Sequence, residues 1–167
     1  MALRSRLSAA TETVQEFFLA ADEKYLEEQR LVAGGDAGAG IYLMGYAAEM
    51  LLKNAYFRFN GATLASDIES RLPPARSRGK VLIPAIRDEF YHSLRFWAML
   101  LQATRADQGR SWVDAEFALE FERCTERLYN NWWVEMRYRR NLASPEEARQ
   151  VMSDVGWIRA HLTTLWS

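Results

Sequence analysis

Apolar residues recur every three to four positions through most of this chain. Leu3, Leu7, Ala10, Val14 and Phe17 form a stripe that Ala21 and Tyr25 continue. That spacing predicts one long amphipathic helix ending near Val32. The glycine-rich run 33–40, AGGDAGAG, breaks it. A second helix is predicted from Gly40 to Phe59, with Ile41, Met44, Ala48, Leu51, Leu52 and Ala55 facing inward and Asn60-Gly61 as the stop. Residues 61–80 contain Pro73-Pro74 and read as a loop with a short helical turn at Leu64–Arg71. Pro84 suits the first turn of a third helix, whose stripe is Ile86, Phe90, Leu94, Trp97 and Leu101. After a turn at Asp107–Gly109, Ser111 with Asp114 resembles a capping box for a fourth helix built on Phe117, Phe121, Cys124, Leu128 and Trp132. Ser144-Pro145-Glu146-Glu147 is the strongest helix start in the chain: a cap, a proline at the first position and an acid at the third. The closing helix carries Ala148, Val151, Met152, Val155, Ile158, Leu162 and Leu165.

Nowhere do five or more residues alternate with period two between turn signals, so no sheet is expected. The fold predicted is all-α: five helices in an antiparallel up-and-down bundle, with short loops except around 60–82. A length of 167 residues favours a single domain, and the chain has no linker that divides it.

Composition narrows the chemistry. The net charge of −1 gives no global pull toward nucleic acid or an anionic membrane, so such contacts need a local patch. One cysteine, Cys124, excludes an intrachain disulfide and a cysteine zinc site, and it fits a reducing compartment. The N-terminus lacks the apolar core of a signal peptide, and no apolar run is long enough to span a bilayer. The expectation is a cytoplasmic protein with no membrane association. His92 and His161 are the only histidines, and no HExxH motif is present, so no metal or cofactor site is expected. The glycine run lacks the phosphate-loop spacing and reads as a helix–helix turn.

The second helix, GYAAEMLLKNAYFRFNG, holds one acid and one base, Glu49 and Lys53, four residues apart. They share a helix face and read as an exposed or interface pair rather than a catalytic one. Further on come His92-Ser93-Leu94, then Trp133-Val134-Glu135-Met136-Arg137-Tyr138, then the Ala- and Glu-containing helix from Ser144. In this order the chain resembles the HEPN family over roughly Ala2 to Leu165. The resemblance is to a YAxExxLKA helix, a His-Asp-Leu segment, an Arg-Tyr element and a closing Ala-rich helix. It implies a helical bundle that dimerises. Family members are either metal-independent ribonucleases or non-catalytic modules associated with RNA or nucleotides, often paired with a small nucleotidyltransferase in a toxin–antitoxin-like arrangement. The nuclease branch uses an arginine followed four to six residues later by a histidine. Arg87 and His92 fit that bare pattern, whereas no histidine follows Arg137 until His161.

Two readings stand for Arg87 and His92. In one, histidine moves a proton from the 2′-hydroxyl while arginine holds the phosphate, assembled across a dimer. In the other, a five-residue step turns a helix by about 140°, so the two diverge and Asp88 holds His92. The basic residues Arg137, Arg139 and Arg140, interleaved with Trp132, Trp133 and Tyr138, could grip phosphates and stack bases. Alternatively, the aromatics are core and the arginines pair with the acids of the fourth helix. Arg71, Arg76, Arg78 and Lys80 form a second basic run, either a phosphate-steering edge or a solvated loop. Six tryptophans exceed what the stripes need, which suggests a homodimer or a partner-bound face, or else an unusually thick core. The functions in view are a non-catalytic module that binds RNA, nucleotide or a protein partner, and a metal-independent endoribonuclease.

Overall fold

The computed structural model describes residues 12–86, 92–132 and 143–167. They are all-α. Seven α-helices are found among them: α1 (Val14–Ala33), α2 (Ala37–Phe59), α3 (Leu72–Leu82), α4 (Leu94–Asp107), α5 (Ala115–Asn131), α6 (Pro145–Ala160) and α7 (Leu162–Trp166). A 3-10 turn at Glu69–Arg71 leads into α3. The extended pairing among the described residues is one isolated antiparallel bridge, Thr13 with Asp67.

Five of these helices start where a side chain accepts the first free backbone N–H groups. Thr13 caps α1, Asp36 caps α2, Ser93 caps α4 and Asp114 caps α5. Ser144 and Glu147 close a reciprocal capping box at α6, as the sequence predicts. The turn between α1 and α2 is short and runs through Gly35 at φ 90°, a conformation that glycine adopts without strain.

The differences from the predicted five helices have local causes. Pro73 and Pro74 do not break the chain. They occupy the first turn of α3, where no intrahelical N–H bond is lost, so the expected loop is largely helix. The helix expected from Pro84 begins at Leu94, because Ser93 Oγ accepts from Phe96 N at 3.1 Å and fixes the start there. Part of that expected helix, Phe90 included, lies outside the described residues, as do the first three positions of the opening stripe. Asp114 rather than Ser111 is the cap of α5. The closing helix is interrupted at His161, giving α6 and the one-turn α7.

Helix α2 is the hub. It packs against α1, α4, α6 and α7, and α5 in turn packs against α4 and α6. Consequently α2 is buried on nearly every side, polar residues included. Close approach of its N-terminal half to α1 requires Gly40, whose missing Cβ would lie 2.4 Å from Val32 Cγ2. The tryptophans in view are absorbed by the fold. Trp97 is fully buried. Trp112, Trp157 and Trp166 lie half-buried against the core. Trp112 meets Phe117 and Phe121, Trp157 meets Phe117 and His161, and Trp166 lies under Arg58. The thick-core reading accounts for these residues. No helix among the described residues is long and apolar enough to cross a membrane.

Candidate functional site

Tyr42, Tyr46, Glu49 and Lys53 follow one another on α2 at steps of four, three and four residues, which sets them along one face. That face looks toward the start of α4 and the end of α5. Glu49 sits at its centre, 3% exposed. One carboxylate oxygen pairs with the Lys53 ammonium, and the other lies 3.0 Å from His92 Nδ1. Glu49 and Lys53 are therefore not the exposed pair that their charge suggests. The reason is the hub position of α2, together with the aromatic walls that enclose the lysine stem. Its Nζ lies 5.3 Å from the Trp97 ring centroid and 5.8 Å from that of Phe17.

His92 reaches this buried pair from the surface; its side chain is 54% exposed. An ionised carboxylate can only accept, so in this contact Nδ1 carries the hydrogen. An aromatic cluster frames the histidine. Tyr46 meets its ring edge-on at 6.0 Å, meets Trp132 at 5.4 Å, and shares a hydroxyl–hydroxyl contact of 3.1 Å with Tyr42. Trp132 is itself fixed by donating Nε1–H to Tyr42 O at 2.9 Å. A histidine oriented by a carboxylate beneath a partly exposed aromatic rim can serve as a proton-transfer group or as a structural pin.

Of the residues proposed with His92, Arg87 and Asp88 lie outside the described residues, as do Arg137, Arg139 and Arg140. The acceptor that the structure gives to His92 is Glu49, 43 residues earlier in the chain. A single charged edge on an apolar helix was the only sequence signal for this pairing. Among the described residues no group of three or more His, Cys, Asp or Glu is placed to hold a metal ion.

The second basic run is resolved into a surface. Arg71, at the start of α3, and Arg78, two turns later, line one pocket of about 270 Å³ with Tyr56, Asn60 and Pro74. Arg78 donates to Asp107 at 2.8 Å and Arg71 to Ser66 Oγ at 3.1 Å. The Arg78–Asp107 pair is partly solvent-exposed, so it contributes little to stability. Burial pushes the Tyr56 hydroxyl above its ordinary range, and the Arg78 charge partly offsets the shift. Arg76 is half-buried and does not line this pocket, and Lys80 is exposed one turn further along α3.

Other arginines are structural. Arg127 grips Asp154 through Nε and Nη2 and also reaches Glu120, clasping α5 to α6. Arg123 pairs with Glu120 as well. Arg105 is buried between Phe59 and Trp112 and donates to Leu165 O and Ser167 O, capping α7. Cys124 is buried, and desolvation pushes its thiol well above the usual range, so it is inert core. Compared with protein-family models, curated proteins and solved structures, the chain matches none.

Proposed function

We propose that this chain is a HEPN-like helical module that binds RNA or a nucleotide without turning it over, using the α3 edge to hold phosphate. One observation carries the reading: two guanidinium groups seven residues apart face a single pocket that also offers an aromatic wall and an amide. Arginine forks match phosphate oxygens in pairs. The weak surface partners of these arginines keep them available. Lys80 would extend the same electrostatic footprint, and Arg137, Arg139 and Arg140, the other basic cluster of the sequence, would add phosphate contacts. The test is fluorescence polarisation of a labelled single-stranded RNA at low salt. Binding should weaken as salt rises, and Arg71→Gln with Arg78→Gln should weaken it at least tenfold while far-UV dichroism stays unchanged. Failure to bind at low salt rejects the RNA reading; the same titration with labelled ATP tests the nucleotide arm.

A second reading is favoured by a different observation, the bond between Glu49 and an exposed His92. In this reading the chain is a metal-independent endoribonuclease. His92 is the acid or base, Glu49 orients it, and Arg87 of a second copy stabilises the phosphate. Cleavage of total RNA in EDTA that disappears in both His92→Ala and Arg87→Ala supports this mechanism. Unchanged RNA at high protein concentration rejects it.

A further inference from the structure

Helices α4 and α5 enclose a separate groove of about 330 Å³, a size suited to a small molecule. Arg95 stands on the α4 wall, and Glu122 and Glu126 on the α5 wall. None of the three is in an ion pair with another described residue, although charges on the outer turns of α5 do pair, Arg123 and Arg127 both with Glu120. Opposite charges on facing walls that stay apart leave an opening between them. The floor explains the gap. Ala98 is buried and small, and Thr125 turns its hydroxyl back to its own helix, to Phe121 O at 2.9 Å. Arg95 is held at one end, its guanidinium 5.5 Å from the Tyr129 ring centroid. Glu126 and Glu122 lie three and seven residues from Tyr129, or about 5 and 10 Å along the helix axis.

The geometry points to a binding site for a small zwitterion, with its anionic group at Arg95 and its ammonium group between Glu126 and Glu122, which stand about 5 and 10 Å along α5 from Tyr129, the residue that Arg95 contacts. Free ω-amino acids and short peptides carry this chemistry. Buried polar partners are not needed, because both charges are matched at a partly open groove and Met99 contacts the intervening methylenes.

The experiment is a chemical-shift titration of the full chain with ε-aminocaproate, with γ-aminobutyrate as a shorter probe and hexylamine and hexanoate as single-charge controls. The expected result is saturable shifts with ε-aminocaproate at a Kd of about 1 mM or tighter, and at least tenfold weaker binding for both controls. Arg95→Gln and Glu126→Gln, both exposed substitutions, should each weaken binding at least tenfold. Ala98→Leu should abolish it by filling the floor; if that variant fails to fold, the two surface variants decide. No saturable shift at 20-fold that concentration overturns the proposal. So does hexylamine binding as tightly as the zwitterion, or binding that Arg95→Gln leaves unchanged.

Discussion

Gly45 and Trp132 compete for one volume. A Cβ at position 45 would lie 2.1 Å from the Trp132 indole nitrogen, well inside contact distance. The indole lies across the bare α2 backbone and donates to Tyr42 O at 2.9 Å. Gly45→Ala gains helix propensity of about 1 kcal/mol but must push the ring away. Overpacking of this kind costs about 1–3 kcal/mol, and the indole hydrogen bond goes with it. The variant should unfold at lower urea, with a shifted tryptophan emission. Unchanged emission and stability would show that the ring has room to move.

Glu49 is the carboxylate on which Lys53 and His92 converge. Glu49→Ala leaves the Lys53 ammonium buried without its counter-charge, and breaking a buried pair this way costs about 3–5 kcal/mol. His92→Ala removes an exposed ring and should cost under about 1 kcal/mol. Urea denaturation of both variants checks the asymmetry. Equal losses would make His92 a structural member of the core.

Glu28 lies fully buried on α1, and neither carboxylate oxygen has a hydrogen-bond partner among the described residues. Desolvation pushes its pKa up to about 9, against the pull of Lys24. The folded value thus lies above the unfolded one, so the folded state holds the proton more tightly. The resulting penalty is absent below about pH 4, grows as pH rises through neutrality and is complete above about pH 9. Glu28→Met should therefore stabilise the chain by about 2 kcal/mol near pH 7.5 and by little near pH 4.5. Thermal melts of both proteins across that range decide it; a gain independent of pH would point to packing alone.

Asp154 is 2% exposed and receives two nitrogens of Arg127. The pair holds Arg127 strongly in its charged form. Asp154→Ala should cost about 3 kcal/mol, and a double-mutant cycle with Arg127→Ala should return a coupling above about 1 kcal/mol. Additive losses would mean that each residue acts through other neighbours.

Much of the architecture is legible in residue order, and the failures share a physical cause. The Ser144–Glu147 box acts within one helical turn, so its signal is local and legible, whereas Asp36, the cap of α2, is hidden in a glycine-rich run that reads only as a break. Pro73-Pro74 misleads because the same residue ends a helix from inside and begins one from its first turn; only the register decides. The surplus of Trp112, Trp157 and Trp166 reads as a partner face or a thick core, and no linear reading supplies the contacts that Phe117, Phe121 and Arg58 make with them. Burial of Glu49 and Lys53 is illegible for the opposite reason. Two charges four residues apart look like surface decoration, and only packing of α1, α4 and α6 around α2 removes them from water. His92 is visible as a candidate, but its partner, 43 positions away, is not. The α3 pocket needs Tyr56 and Asn60 from α2, which no linear reading of the Arg71–Lys80 run supplies.

The central place of α2 has a consequence for biosynthesis. This most apolar of the long helices is translated well before α6 and α7, two of the surfaces that cover it. During that interval, at ribosomal rates of about 5–20 residues per second, a sticky rod stands partly uncovered for several seconds. Truncations that remove α6 should therefore recruit chaperones or aggregate rather than yield a smaller stable protein.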